Sequence, residues 1–414
     1  MEIRGIPSSA LILVGGYGTR LRPFTLTISK PLVPFANKPI LFHQIDYLYK
    51  IGVHRIILAT CSREKETDSI IIESFRDYKS LEIIFSYEDS PLGTAGPLYL
   101  ARDLLTYPCF VLNSDVICNY PLEDMLYFHQ LKGCEATILS TFVKEPSKYG
   151  VMVRRTDELS HLVEKFVEKP KDFVGNSINA GIYILEKSVI EKIPGPNIEC
   201  SIENEIFPAL AYRNTLAVFD LYGYWMDIGQ PKDYLEGLSL YISNGIHSLD
   251  PKTVAENYIY RSFGSEFYND KIITHENYLK EEKISNINFY NISKLNDADI
   301  FSNNMIDNSI IHKTVKMGHG CKIGPNVVIG ENVKIGDCVR LRDCAIFSNT
   351  ILSDGVFVNK SIIGWDSVIK RWARLDEFCF LGSKVTVESC VSIKNCTILP
   401  YKKISTNSDN MIII

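Results

Sequence analysis

An apolar residue recurs every six positions through the C-terminal part of the chain, and this repeat is the strongest constraint on the fold. The row runs from Ile311 to Phe347, slips in register, and runs again from Ile363 to Leu399. A unit of six residues cannot bury its apolar face alone. Successive units must therefore stack and bury the row between them.

The period of six resembles hexapeptide repeats, which form three-sided, left-handed parallel β-helices. The resemblance implies that residues 305–414 form a rigid β-helix, in which each coil packs its inward row against the coils above and below. Two cysteine pairs, Cys338 with Cys344 and Cys390 with Cys396, share the six-residue spacing. We expect all four thiols to stack inside the β-helix as small apolar groups.

Residues 1–245 alternate short β-rich runs with longer helical stretches. The runs include ALILV, RIILAT and CFVLNSDV, and FHQIDYLYKIG is one of the helical stretches. This order predicts an α/β domain with a Rossmann-like mixed, mainly parallel sheet covered on both faces. Ligands of such sheets bind beyond the carboxyl ends of the strands. The glycine-rich segment after the first strand and the NSD segment after a later one would share that edge.

Residues 246–304 differ in composition from both neighbouring regions. They are rich in Asn, Tyr, Ser and Lys and show no sustained period. We interpret them as an Asn/Tyr-rich linker or insertion and assign no chemistry to them.

The overall composition favours small-molecule or protein partners. The chain has 414 residues and a net charge of −5, which gives no general reason to bind nucleic acid or a membrane. It has 11 cysteines and no C-x-x-C pair, which favours reduced thiols and disfavours a zinc site. No apolar run is long enough to span a membrane and the N-terminus lacks a signal-peptide pattern, so we expect a cytoplasmic protein.

The segment VGGYGTRLRPFTLTISKP places glycines directly before cationic side chains. Gly15, Gly16 and Gly18 could expose backbone N–H groups to phosphate oxygens, although a tight turn alone would also explain them. Arg20 and Lys30 offer the two kinds of cation that neutralise a polyphosphate. The spacing matches neither the dinucleotide-binding nor the P-loop pattern, which disfavours dehydrogenases and P-loop NTPases.

Together with EDSPLGTAGPL, FVLNSDV, EPSKYGVM, FVEKP, NAGIYIL, SIENEIFP and YWMDIGQPKDYL, this segment resembles the motifs of the nucleoside-diphosphate-sugar pyrophosphorylases. Ser29 stands where the family usually has proline, which keeps the cation at Lys30 but could loosen its loop. The resemblance covers nearly the whole chain apart from the insertion. Within the family it is closest to the eukaryotic, catalytic-type members that use GTP and mannose 1-phosphate.

The family reaction joins a sugar 1-phosphate to a nucleoside triphosphate and releases pyrophosphate. Because the attacking phosphate is already an anion, catalysis should depend on positioning and charge neutralisation. The resemblance implies catalytic roles for Arg20, Lys30 and Lys169; nucleotide binding by Gly15, Gly16, Gly18, Gly93 and Thr94; sugar-phosphate binding by Gly150, Glu168, Lys169 and Asn179; and a Mg²⁺ ion held by Asp115 and Asp227.

Glu88 is a candidate for reading the base. Relatives that use thymidine or uridine triphosphate commonly carry an amide at this point, whereas this chain has a carboxylate. Guanine presents its N1–H and N2–H₂ donors side by side, and a carboxylate can accept both. We therefore expect Glu88 to bind the nucleotide and to help select GTP.

Three alternatives remain open at the level of sequence. The scaffold could use another sugar 1-phosphate and triphosphate, or it could be a regulatory subunit that binds GDP-mannose. A hexapeptide acyltransferase would need His312 or His319, which have no distinctive partner in the sequence. In the favoured interpretation, the substrates are GTP and mannose 1-phosphate, and the products are GDP-mannose and pyrophosphate. The β-helix would then support a homo-oligomer or a complex with a regulatory paralogue.

Overall fold

The computed structural model describes residues 5–16, 18–60, 65–196, 198–245, 258–261 and 304–414. Most of the expected linker, residues 246–257 and 262–303, lies outside the described residues. The chain divides into two compact units: Met1–Tyr17 with Ile40–Trp225, and Gly18–Pro39 with Met226–Ile414. Within the described part of the chain, no helix has the length and apolar character needed to cross a membrane.

The strands of the N-terminal half are short. They are β1 Ser9–Leu13, β2 Pro34–Phe35, β3 Lys38–Pro39, β4 Arg55–Thr60, β5 Glu82–Tyr87, β6 Cys109–Asn113, β7 Val116–Cys118, β8 Ala136–Phe142, β9 Gly150–Arg154, β10 Val163–Glu168, β11 Ser177–Leu185, β12 Leu216–Asp220 and β13 Trp225–Asp227. The α-helices are α1 Ile40–Lys50, α2 Lys65–Ser74, α3 Gly96–Leu100, α4 Leu122–Lys132, α5 Lys187–Ile190, α6 Phe207–Tyr212 and α7 Pro231–Leu240. The 3₁₀ helices are Thr19–Leu21, Phe24–Leu26, Lys30–Leu32 and Pro146–Lys148, and π-helical turns span Ile202–Ile206 and Tyr241–Gly245.

The first unit is built on a mixed sheet, which confirms the predicted Rossmann-like α/β class. Its main path runs β10-β9-β11-β6-β1-β4-β5, and β8 joins β11 to β12. Strands β6, β1, β4 and β5 are parallel, whereas β11 runs antiparallel to β6, β8 and β9. Strands β1, β4 and β6 are mostly buried apolar runs, as expected when both faces are covered, whereas the edge strand β5 is only partly buried.

Helical periodicity explains how the covering helices pack. Helix α1 buries Leu41, Ile45 and Leu48, which are spaced so that they share one face. Helix α4 ends at Gly133, whose φ of 63° lets its N–H bond the carbonyl of His129 at 2.9 Å. These local signals were readable in the sequence and fix where the helices lie along the chain.

The C-terminal part of the second unit is a parallel β-helix of three stacked sheets, consistent with the predicted left-handed form. Strand β14, Tyr258–Arg261, lies within the expected linker and pairs antiparallel with the second strand of this domain. The strands of the parallel coils are β15 Met305–Ile306, β16 Ser309–His312, β17 Lys316–Met317, β18 Lys322–Ile323, β19 Val327–Ile329, β20 Lys334–Ile335, β21 Arg340–Arg342, β22 Cys344–Ile346, β23 Ile351–Leu352, β24 Phe357–Asn359, β25 Ile362–Ile363, β26 Val368–Ile369, β27 Arg374–Asp376, β28 Phe380–Leu381, β29 Thr386–Val387, β30 Ser392–Lys394, β31 Thr397–Ile398, β32 Lys403–Ile404, β33 Ser408–Asp409 and β34 Ile412–Ile413.

Register within the β-helix corrects two members of the predicted inward row. Within the inward row, the position after Leu341 is occupied by Ile346 and the position after Ile393 by Ile398, so these steps are five residues long. Phe347 and Leu399 therefore lie one position beyond the inward row. The shorter step occurs where the chain passes from the sheet of β21 and β30 to the sheet of β22 and β31.

The same geometry divides the cysteine pairs. Cys344 and Cys396 are buried in the apolar core, as predicted, but Cys338 and Cys390 are exposed. The latter two occupy corners with positive φ angles of 59° and 62°. A residue at such a corner directs its side chain away from the core, so the expectation that all four thiols stack inside was wrong for Cys338 and Cys390.

Candidate active site

Neighbouring parallel strands of the first unit deliver predicted site residues to one edge of the sheet. Leu13 at the end of β1 pairs with Asn113 at the end of β6, and the N–H of Ser114 donates to the carbonyl of Leu13 at 3.2 Å. Gly15 and Asp115 each lie two residues beyond the end of their strand. The glycine segment and the first metal-site candidate therefore leave the sheet side by side.

Glu88 lies at the same edge, immediately after β5. It is 8% exposed, its Oε2 accepts the N–H of Leu92 at 2.9 Å, and its Oε1 would lie 3.7 Å from a Cβ placed on Gly15. Burial raises the pKa of Glu88, and the bond from Leu92 opposes that shift. The carboxylate therefore faces the glycine backbone from a partly desolvated position.

Gly93 and Thr94 form a turn locked against a second segment of the first unit. Gly93 has a φ of 73°, and a Cβ there would collide with the backbone of Cys200. The Thr94 hydroxyl donates to Glu203 Oε2 at 2.5 Å and accepts the N–H of Ile202 at 2.9 Å. Thr94 thus holds the π-helical turn Ile202–Ile206 in place. Glu203 was not predicted from the sequence as a member of the site.

Gly150, Glu168 and Lys169 come together across the β9–β10 pair. Gly150 is the register partner of Glu168, and a Cβ on Gly150 would lie 2.8 Å from Glu168 Oε2. Lys169 Nζ lies 2.8 Å from Glu168 Oε1, and the Lys169 side chain is 66% exposed. Lys169 also adopts a φ of 43°, an uncommon conformation for a residue with a side chain and a frequent feature of functional positions.

Asn179 lies on β11, next to this group. Because Ile178 pairs with Val151, Asn179 follows at the level of Gly150. Its amide donates to the Tyr183 hydroxyl at 2.9 Å, and its Oδ1 accepts the N–H of Gly181 at 2.8 Å. Tyr183 is fully buried, which raises the pKa of its phenol. These bonds hold the Asn179 amide in one orientation.

Gly16 follows Gly15 in the first unit with a φ of 103°, whereas Gly18, Arg20, Lys30 and Asp227 belong to the second unit. We call Gly18–Pro39 the basic loop, because it carries Arg20 on the first and Lys30 on the third of its three 3₁₀ helices. Gly18 has a φ of 61°, and a Cβ there would lie 3.0 Å from Lys30 Cβ. The structure therefore brings Gly18 and Lys30 together. Asp227 ends β13, where its Oδ1 accepts the N–H of Gly229 at 2.9 Å.

Comparison with known proteins identifies the family. Residues 9–244 match the nucleotidyl transferase family model, and residues 305–414 match the GMPPB C-terminal domain. The chain is 45% identical to the mannose-1-phosphate guanyltransferase of Schizosaccharomyces pombe, over 96% of this chain and 97% of that protein. It is 44% identical to the protein of the same name from Pichia angusta, over 98% and 99%. The chain belongs to the mannose-1-phosphate guanyltransferase family.

A solved structure supports the fold of the N-terminal half. This structure, described as a glucose-1-phosphate thymidylyltransferase from Bacillus anthracis, matches with a TM-score of 0.50 and 22% identity, over 55% of this chain and 93% of that one. At that identity, the likeness concerns the fold alone. The mannose-1-phosphate guanyltransferase relatives, in contrast, extend through both predicted folded regions.

Members of this nucleotidyl transferase family generally use a divalent metal ion. Within the described residues, no three His, Cys, Asp or Glu side chains gather into a metal cluster. Asp115 is a half-buried carboxylate at the glycine edge, and Asp227 is half-buried on the other unit. Such sparse carboxylates fit a hard cation that completes its shell with phosphate oxygens and water.

Gln44 is a supporting residue that sequence reasoning missed. It is fully buried on α1, and its Nε2 donates to the carbonyls of Asn113 and Val116 at 2.8 and 3.1 Å. These carbonyls flank Ser114 and Asp115, so the amide clamps the turn that carries the metal-site candidate. One feature of the sequence could have indicated Gln44: a polar glutamine stands at a position of α1 that the helical period assigns to the buried face.

Proposed function

We propose that the protein transfers a guanylyl group from GTP to mannose 1-phosphate, forming GDP-mannose and releasing pyrophosphate. The observation that carries this proposal is the near full-length similarity to mannose-1-phosphate guanyltransferases. The arrangement of Gly15, Glu88 and Asp115 at one sheet edge supports it, because a nucleotide needs an open backbone, a base reader and a metal ligand close together.

The reaction forms one P–O bond and breaks another. A phosphate oxygen of mannose 1-phosphate attacks the α-phosphorus of GTP, and the bond to the β-phosphate oxygen breaks as pyrophosphate departs. The nucleophile is an anion, so no side chain has to remove a proton. The protein contributes alignment and neutralisation of charge, which are sufficient for large accelerations of phosphoryl and nucleotidyl transfer.

We assign the roles as follows. Arg20 and Lys30 neutralise the triphosphate, the glycines approach it through their backbone, and Glu88 accepts the guanine donors. Lys169 meets the phosphate of mannose 1-phosphate, while Glu168 and Asn179 bind sugar hydroxyls. The Lys169 ammonium is more exposed than the neighbouring Glu168 carboxylate. This difference supports a role for Lys169 in binding the phosphate and for Glu168 in binding the sugar.

We assign the metal ion as Mg²⁺, held by Asp115 and Asp227. When bound, Mg²⁺ would supply positive charge to the phosphate oxygens of the nucleotide. Carboxylate donors suit it, and the clamp of Gln44 on the adjoining carbonyls supports a fixed position for Asp115. The protein would act in the cytoplasm, as a homo-oligomer or with a regulatory paralogue.

The decisive experiment measures pyrophosphate release with Mg²⁺ for each of four nucleoside triphosphates against mannose 1-phosphate and glucose 1-phosphate. We expect turnover mainly with GTP and mannose 1-phosphate, and its loss in Asp115→Asn. Asp103→Asn is the matched control, because Asp103 is 82% exposed and pairs with Arg102 on the surface. Tight binding of GDP-mannose without turnover by any pair would instead identify a regulatory subunit.

A further inference from the structure

Phe347 leaves the inward row of the β-helix and packs on the basic loop. It is 3% exposed, and its ring centroid lies 5.5 Å from that of Phe24 and 4.6 Å from that of Trp365. Phe24 is 1% exposed and stands between Arg20 and Lys30 in the sequence. An aromatic ring of the β-helix therefore supports the middle of the segment that carries both cations.

Polar contacts extend this support along neighbouring coils. Thr27 Oγ1 and Ser383 Oγ lie 2.7 Å apart, and Asn37 Nδ2 donates to the carbonyl of Ile329 at 2.8 Å. We call Ile329, Phe347, Trp365 and Ser383 the docking face. Because these residues belong to successive coils, the docking face holds the basic loop at several points along one side of the β-helix.

Helix α7 holds the end of the same loop. The Tyr234 hydroxyl donates to the carbonyl of Pro34 at 2.6 Å, and its ring lies 5.2 Å from Phe35 and 6.4 Å from Phe347. Burial raises the pKa of Tyr234, so the phenol keeps its proton and remains a donor. The loop is thus packed against two elements of the second unit.

Contacts inside the loop connect this support to the cations. The Thr25 hydroxyl donates to the carbonyl of Gly18 at 2.7 Å, and Gly18 packs closely on Lys30 and Thr25. Phe24 and Thr25 are neighbours on one 3₁₀ helix. A displacement of the Phe24 ring would therefore shift Thr25, and with it Gly18 and Lys30.

We propose that Phe347 is a positioning residue for nucleotidyl transfer, acting through Phe24 to fix Arg20 and Lys30. The proposal rests on the function assigned above, which places both cations on the phosphates. It gives the β-helix a part in catalysis in addition to any part in assembly. The five-residue step that takes Phe347 out of the inward row is what makes its ring available to the basic loop.

The test compares Phe347→Ala, Phe347→Leu and Phe357→Ala in the full chain. Phe357 is the matched control, because it lies on another sheet of the β-helix, where Arg374 covers its ring at 4.3 Å. We expect kcat of Phe347→Ala to fall about tenfold or more, since small misplacements of catalytic groups have effects of this size. The KM for mannose 1-phosphate should change less, and Phe347→Leu should recover most of the lost kcat. A kcat like that of Phe357→Ala, whatever the thermal stability, would overturn the proposal.

Two further measurements keep the test decisive. If Phe347→Ala does not fold, a double-mutant cycle of Thr27→Val and Ser383→Ala replaces it, and additive effects on kcat would count against coupling through the docking face. Amide hydrogen exchange of residues 18–33, without substrates, should be faster in Phe347→Ala than in Phe347→Leu or wild type, and Ser383→Ala takes its place in this comparison if Phe347→Ala does not fold. Unchanged exchange would refute the support of the basic loop by Phe347. Because this measurement needs no turnover, it tests the support even if the wild-type protein uses none of the substrates and the proposed function fails.

Discussion

Gly150→Ala tests whether Glu168 belongs to the sugar-phosphate subsite. The added Cβ would lie 2.5 Å from Phe166 Cζ and 2.8 Å from Glu168 Oε2, well inside ordinary contact. The Phe166 ring cannot retreat easily, because it is buried in the core and packs on Phe207 at 5.3 Å. Glu168 is therefore the group most able to move, and it would leave the position that it occupies over Gly150.

The magnitude follows from the cost of overpacking. Such insertions cost about 1–3 kcal/mol. If that cost falls on the binding of mannose 1-phosphate, kcat/KM for this substrate should decrease by roughly 5- to 150-fold, at 1.4 kcal/mol for each factor of ten. Since Gly150 does not adopt a positive φ, the effect would be steric rather than a result of backbone strain.

The assay is steady-state pyrophosphate release with each substrate varied in turn. Gly175→Ala is the matched control, because its Cβ would meet only Val151 Cγ1 at an ordinary 3.5 Å. We expect Gly150→Ala to impair the use of mannose 1-phosphate while leaving the KM for GTP close to that of the control. A variant that folds normally and keeps its KM and kcat for mannose 1-phosphate would refute the placement of Glu168 in the sugar subsite.

Three further predictions follow from buried polar groups. The pKa of Glu88 is raised, so this carboxylate should become protonated, and lose its affinity for GTP, at a higher pH than an ordinary glutamate. In the wild type, the KM for GTP should therefore rise as pH falls. This rise should be absent in Glu88→Gln. Gln44→Leu should lower the free energy of unfolding by about 1–3 kcal/mol and reduce kcat, since it removes the side-chain donor to the Asn113 carbonyl and one of the two side-chain donors to the Val116 carbonyl, which keeps the bond from Tyr120; unchanged denaturant unfolding and kcat would contradict the clamp. Burial lowers the pKa of His129 from an ordinary 6.5 to about 4 in the folded state. Between these two pH values the imidazole binds a proton in the unfolded state but not in the folded state. The free energy of unfolding should therefore decrease by roughly 3 kcal/mol as pH falls from 6.5 to 4. Thermal unfolding across this pH range should be flatter in His129→Gln, and an identical slope would count against the assignment.

Sequence patterns predicted much of this architecture because they report local geometry. The strand and helix order predicted a mixed α/β sheet, and the period of six predicted the β-helix. Parallel strands bring their carboxyl ends to one edge, so the alternation of strands and helices was enough to expect Gly15 and Asp115 at the same edge, and the pairing of β1 with β6 places them side by side. The glycine segment and its cations likewise identified the kind of chemistry, because a triphosphate requires both an open backbone and positive charge.

Contacts between distant segments were beyond such patterns. The clamp of Gln44 depends on how α1 packs beside the end of β6, and the bond from Thr94 to Glu203 joins residues 109 positions apart. The sequence separations of these contacting residues follow no period, and a glutamine or a threonine does not by itself indicate a functional site. The acyltransferase alternative also loses support in the structure, where the His312 ring is bonded to Thr314 at 2.8 Å.

The sequence by itself determined which segments form strands, helices and coils, and which side chains could neutralise phosphate, because spacing along the covalent chain sets local geometry. Only the tertiary structure decided that Phe347 faces the basic loop, that Glu168 crosses Gly150, and that Cys338 points outward. Each of these outcomes depends on register: a step of five residues instead of six takes Phe347 and Cys338 out of the inward rows of the β-helix, and the pairing of β9 with β10 sets Glu168 opposite Gly150. Such steps are selected by the packing of the whole unit, and local sequence does not specify that packing.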